Sequence, residues 1–179
     1  MEQIELIEVN SKYADDIWKI RQEILECGAE NEDQFAGCMS LDTSKSAEEW
    51  IKVCELRKSE DNCNEVGTAV PSHMYIAVRI VAERNGIICG IVCVDYVNKP
   101  ETPYSKARSF YHVQEIAVDA NHRRQGVAKE LLEFMIADAK KRKLGKIELD
   151  VWEFNDSAIE FYQAVGFKQT RRWMEYEVE

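Results

Sequence analysis

Two arginines, a glutamine and a glycine, Arg123-Arg124-Gln125-Gly126, stand immediately before a helical repeat in this chain. Residue types of this kind at such a junction can hold a pyrophosphate. The first backbone N–H groups of a helix lack intrahelical partners, and the helix dipole favours negative charge beside them. Gly126 lets a phosphate come close to the backbone, and Arg123 and Arg124 add positive charge. The flanking elements must position this turn. Upstream, Ile116 and Val118 alternate as in a strand. Downstream, Val127, Leu131, Met135 and Ala139 recur every four residues, with Ala128, Leu132 and Ile136 beside them, which predicts a helix over 126–143.

The turn has neither the G-x-x-x-x-G-K-[ST] pattern of a nucleotide-hydrolysing loop nor the G-x-G-x-x-G of a dinucleotide fold. Arg123–Ala128 instead resembles the [Q/R]-x-x-G-x-[G/A] signature of the GCN5-related N-acetyltransferase (GNAT) superfamily. Two further features lie at matching places downstream. Asn155 follows an expected strand, Lys146–Trp152, and Phe161-Tyr162-Gln163-Ala164-Val165-Gly166-Phe167 resembles that family's aromatic ending. The resemblance is strong over Tyr111–Phe167 and weak before it.

The resemblance implies a single-domain α/β GNAT fold over residues 1–179. Its sheet is mixed and mostly antiparallel, flanked by helices, with splayed central parallel strands that admit the pantetheine arm of acetyl-CoA. It implies that the pantetheine amides bond to Ile116, Ala117 and Val118. The pyrophosphate then rests on the N–H groups of Arg124, Gln125, Gly126, Val127, Ala128 and Lys129, beside Arg123. Asn155 is a pantetheine contact in that picture; from its position alone it is a helix N-cap.

The implied reaction is acyl transfer. A neutral amine attacks the thioester carbonyl, an oxyanion develops, and a thiolate leaves. A strand N–H, that of Val118, would stabilise the oxyanion, and Tyr162 would protonate the departing sulfur. Read without the motif, Tyr162 is a core tyrosine on a helix face. An alkylamine of pKa ~10.4 must first lose a proton. Glu115, His112 and Asp150 are the candidate bases, each acting through water, with Glu115 ranked first. A second reading of the same fold is a non-catalytic acyl-CoA-binding or sensor module, and a third is an interaction domain with no coenzyme.

Composition bounds the partners. The chain has 179 residues, room for one domain with a substantial core. Its net charge of −10 argues against a nucleic-acid binder, which needs a basic face. The basic run Lys140–Lys143 ends a helix, where it complements the dipole. An acidic body with a local basic turn suits an anionic coenzyme and a cationic amine acceptor. The longest apolar run, Gly86–Val94, is short of the roughly 20 residues that span a membrane, and the acidic start has no signal-peptide layout. These features point to a cytoplasmic protein with no membrane partner, and they leave a homodimer open. The cysteines at 27, 38, 54, 63, 89 and 93 contain no C-x-x-C pair and have no metal-ligand spacing with His73, His112 and His122. Buried reduced thiols are expected, and no metal.

Along the chain, Ile4 and Leu6 predict a strand, and Tyr13, Ile17, Trp18, Ile20, Ile24 and Leu25 a helix, followed by an irregular acidic stretch over Glu26–Asp33. Ser46-Ala47-Glu48-Glu49 is a capping box that predicts a second helix. A polar loop covers Arg57–Ser72. Tyr75–Ala82 and Ile87–Val97 predict a hairpin about Asn85-Gly86. A helix from Asn155 or Asp156 to Gly166 follows the Lys146–Trp152 strand, and Lys168–Val178 predicts a last strand or hairpin.

Overall fold

Alternating apolar residues around an Asn-Gly turn build the centre of the molecule. In the computed structural model, which describes residues 4–8, 11–29, 74–172, 174, 176 and 178, the hairpin pairs β2 (Met74–Arg84) with β3 (Ile87–Lys99). Asn85 and Gly86 both take positive φ, 54° and 79°, as the tight connection requires. β1 (Glu5–Glu8) adds to one side of the hairpin and β4 (Arg108–Val118) to the other, all antiparallel. β5 (Ile147–Leu149) then pairs parallel to β4, giving a five-stranded mixed sheet in the order β1-β2-β3-β4-β5.

Helices cover both faces of this sheet. α1 (Ala14–Ala29) follows a short 3-10 turn at Ser11–Tyr13. Its Ala14, Ile17 and Ile20 pack with Val81, Ile88, Ile91, Cys93 and Ala117. α2 (Val127–Lys141) buries Val127, Leu131, Leu132, Met135 and Ala139, which includes the whole four-residue repeat. It crosses the opposite face at Gly90. A Cβ on that glycine would stand 2.8 Å from Val127 Cγ1 and 3.0 Å from the Ala117 carbonyl oxygen. The helix therefore lies as close to β3 as a side-chain-free residue permits. Cys89 and Cys93 are buried thiols, as expected, and neither forms a disulfide among the described residues. Cys89 Sγ donates to the Ala82 carbonyl at 3.1 Å, and burial pushes its thiol up.

The chain divides into two compact units, Met1–Leu149 and Asp150–Glu179. The second contains α3 (Asp156–Ala164). Three expectations need correction. α1 runs through Glu26–Ala29, so the first part of the acidic stretch is helical. β5 stops at Leu149 rather than Trp152. None of the described residues of 168–178 is in a strand, and Met174, Tyr176 and Val178 are exposed; their alternation suits a strand, but a strand also needs a paired edge. The expected helix from Ser46 and the 57–72 loop lie outside the described residues. Among the described residues, no helix is long and apolar enough to cross a membrane.

Candidate active site

The turn between β4 and α2 is built from side chains that bond their own backbone. Asp119 caps a 3-10 turn at Ala120–His122, accepting from the Asn121 N–H at 3.0 Å and from His122 Nδ1 at 2.8 Å. Burial pushes the Asp119 carboxyl up, but the hydrogen bonds from His122 and Asn121 outweigh it and hold the group below the usual carboxylate range. Asp119 thus stays ionised and keeps the turn in shape. Arg123 Nε donates to the Val118 carbonyl at 3.1 Å.

Arg124 follows in the left-handed region, φ 61°. A non-glycine residue pays roughly 1–2 kcal/mol there, and such strain persists where the surroundings over-determine it. Gln125 supplies part of that restraint, donating to the Asn121 carbonyl at 2.8 Å. Gly126 comes next at φ 90°, the N-cap of α2, and it caps with no side-chain bond. A Cβ built on it meets nothing within 4 Å among the described residues. The N–H groups of Val127, Ala128 and Lys129 open the helix behind it, where no intrahelical acceptor reaches them. A left-handed turn, open space above the glycine and unclaimed helix donors fit the anion site expected from the residue types.

β4 carries the second part of the site, and a bulge shapes it. The pairing of β3 with β4 runs Cys93–Glu115, then Val94–Val113, so Gln114 is an extra residue. The Asp119 N–H donates to the Cys89 carbonyl at 3.1 Å. Antiparallel alternation then aims Ala117 and Glu115 at β3 and turns Ile116 and Val118 away from it. Arg123 reaching the Val118 carbonyl agrees with that direction. On the other side of the bulge, the Tyr111 N–H donates to the Lys146 carbonyl, on the β5 side. The parallel ladder to β5 covers only Tyr111–Ile147, His112–Glu148 and Val113–Leu149, and it ends where Gln114 breaks the alternation. Beyond it, no described strand pairs with the edge that carries the Ile116 and Val118 N–H groups. β5 itself ends at the last paired residue, Leu149.

The bulge also places side chains. His112 and Glu115 are three residues apart and would point to opposite faces of a regular strand. With Gln114 inserted, His112 lies opposite Asp95 and Glu115 opposite Cys93, so both share the face covered by α1. Asp95 is buried, and its Oδ2 accepts from Gln114 Nε2 at 2.8 Å. Tyr111 points the other way, donating to Asp138 Oδ2 of α2 at 2.5 Å. Sequence reading missed Asp95 and Gln114, because a bulge leaves no local signature in a single sequence. It also missed Arg84, whose Nη1 donates to Gln125 Oε1 at 2.7 Å.

In the second unit, Asn155 caps α3, accepting from the Ala158 N–H and from Ser157 Oγ, each at 3.2 Å. The other end of α3 explains the spacing of the aromatic motif. The Phe167 N–H donates to the Tyr162 carbonyl and the Gly166 N–H to that of Gln163, with Gly166 at φ 101°. This is a Schellman ending, in which the residue after glycine packs on the helix. The Phe167 and Tyr162 rings meet edge to face at 5.6 Å. Burial pushes the Tyr162 phenol up to about 12, so it remains a proton donor at neutral pH. Asp150 is the first residue of this unit and is exposed.

A model of the acetyltransferase (GNAT) family matches residues 45–167. N-acetyltransferase 8 of Homo sapiens is 34% identical over 90 residues, 50% of this chain and 38% of that protein. The chain spans 38–41% of the length of the first curated relatives it matches. Among solved structures, a tetramutant of the BH1408 protein from Bacillus halodurans has TM-score 0.76 and 17% identity, over 97% of this chain and 99% of that one. A predicted acetyltransferase from Clostridium acetobutylicum, solved with acetyl-CoA, has TM-score 0.61 and 19% identity, over 98% and 96%. At these identities the structures show a shared fold.

Proposed function

The chain belongs to the acetyltransferase (GNAT) family, and we propose that it is an N-acetyltransferase moving the acetyl group of acetyl-CoA directly to a primary amine. The observation that carries this reading is the open edge of β4 leading into the Gly126 turn. It offers outward N–H groups at Ile116 and Val118, then a basic turn and free helix donors. Such an arrangement suits an elongated ligand with amides at one end and a pyrophosphate at the other. The Clostridium acetobutylicum neighbour, solved with acetyl-CoA, supports the same choice. We take residues 1–179 as one acetyltransferase domain, since the family match runs across both units.

Ile116 and Val118 would bind the pantetheine arm through their outward backbone groups, and residues 123–129 the pyrophosphate; Ala117, expected to share the first role, instead turns its backbone groups to β3. Asn155, already a helix cap, adds a pantetheine contact by family resemblance. The coenzyme brings an activated thioester; the chain supplies the rest. The Val118 N–H stabilises negative charge on the carbonyl oxygen. Glu115, or His112 on the same face, takes the amine proton through water; Asp150 is the remaining candidate. Tyr162 supplies a proton to the departing thiolate. One N–C bond forms, one C–S bond breaks, and the proton lost by nitrogen is matched by one gained by sulfur. The acceptor is a cationic amine, favoured by the net charge of −10, and we place the enzyme in the cytoplasm.

An acetyl-transfer screen over polyamines, aminoglycosides, amino acids and peptide N-termini tests this. Coenzyme A release that depends on one amine class supports it. Coenzyme binding without transfer to any amine would favour the sensor reading.

A further inference from the structure

We infer that Arg84, at the end of β2, is a positioning residue for the coenzyme's pyrophosphate. The inference rests on the reading of the Gly126 turn as the coenzyme site. Arg84 is 41 residues from Gln125 in sequence, yet its Nη1 donates to Gln125 Oε1 at 2.7 Å. Gln125 in turn donates to the Asn121 carbonyl at 2.8 Å. This chain of bonds runs from the hairpin into the turn and holds the backbone between the left-handed Arg124 and Gly126. Arg84 Nε is shielded from solvent and has no hydrogen-bond partner among the described residues. A desolvated guanidinium N–H is costly for folding alone. Its retention beside a turn with unclaimed helix donors points to a bound anion.

Arg84 thus brings a third guanidinium charge to a turn that already has Arg123 and Arg124. Arg123 is committed to the Val118 carbonyl. Arg84 acts through Gln125, by fixing the turn before the ligand arrives, and through charge. Both effects concern the pyrophosphate and leave the acyl end alone.

The test compares wild type, Arg84→Met and Arg84→Lys with two donors: acetyl-CoA and acetyl-pantetheine, which has no pyrophosphate. In Arg84→Met, the Kd for coenzyme A should rise roughly tenfold, the size of one charge-assisted contact. The KM for acetyl-CoA should rise with it, while kcat at saturation changes less than about twofold. Use of acetyl-pantetheine should not change. Arg84→Lys should fall between the two and carries the test if the methionine variant does not fold. Wild-type coenzyme affinity in both variants overturns the inference. So does an equal loss with acetyl-pantetheine, which would make Arg84 a purely structural residue. If wild type itself fails to bind coenzyme A, the reading of the turn falls, and the inference with it.

Discussion

The Gln114 amide donates to the Asp95 carboxylate at 2.8 Å across the β3–β4 pair, closing over a bulge that turns His112 and Glu115 to one face of the sheet. A single inserted residue therefore sets both halves of the candidate chemistry. It chooses which backbone N–H groups face the open edge, and it gathers two of the three candidate bases. Deleting Gln114 leaves Glu115 opposite Cys93 and the Ile116 and Val118 N–H groups on the outer edge, but it removes the bond to Asp95 and the bulge at which the β5 ladder ends, so that β5 can pair along the edge the coenzyme would use. We expect that deletion to weaken coenzyme binding, read as a rise in the KM for acetyl-CoA; an unchanged KM would free the bulge of that role.

Glu115→Gln tests the base itself. The variant should need more amine already neutral, so its kcat/KM profile should shift toward higher pH. A profile that superimposes on wild type removes Glu115 from the role.

Tyr162→Phe should keep coenzyme affinity within a few-fold and lower turnover by roughly 10²–10⁴, the span of one lost general acid. The phenol also makes a prediction about stability. Its pKa is raised from 10.0 to about 12 by burial. An unfolded chain ionises first, so the unfolded state holds fewer protons between those values. The stabilising contribution is present below pH 10 and is lost as pH rises toward 12. Thermal unfolding scans should show this alkaline loss in wild type and a smaller one in Tyr162→Phe. Equal slopes would contradict the burial assigned to the ring.

Gly126→Glu should abolish coenzyme A binding without unfolding the protein, because it places bulk and negative charge where the pyrophosphate is proposed to rest. Gly126→Ala separates the causes. No described residue stands within 4 Å of the added Cβ, so the alanine costs mainly the strain of φ 90°, roughly 1–2 kcal/mol. Calorimetric titration checks both, and undiminished affinity in the glutamate variant would exclude this turn as the site.

The acceptor should be a primary amine on a cationic molecule. The net charge of −10 attracts such a substrate, and the attraction is screened beyond about 8–10 Å at physiological salt. Its kcat/KM should fall as salt rises, with a smaller effect on kcat. A best acceptor that is neutral or anionic, with a rate indifferent to salt, would refute the charge argument while leaving acetyl transfer intact.

Short-range pattern carried much of this molecule. The four-residue repeat of α2, the Asn85-Gly86 hairpin and the glycine before a helix are local features, decided by propensity, burial and backbone freedom within a dozen residues. The tyrosine, glycine and phenylalanine of 162–167 also read locally, because a helix ending with its packed aromatic is complete in six residues. Other features depended on register between distant strands. Gln114 is an extra residue only relative to Cys93 and Val94 on β3, so the faces of His112 and Glu115 could not be read from β4 alone. Gly90 is glycine because α2 lies on it, and Arg84 reaches Gln125 only once the hairpin stands beside the turn. β5 is shorter than its alternation predicts for the same reason: the pattern at 147–152 describes a strand, while its partner's bulge ends the pairing at Leu149. Elements came from local periodicity, and the site's geometry came from long-range pairing, where a one-residue shift inverts every side chain that follows.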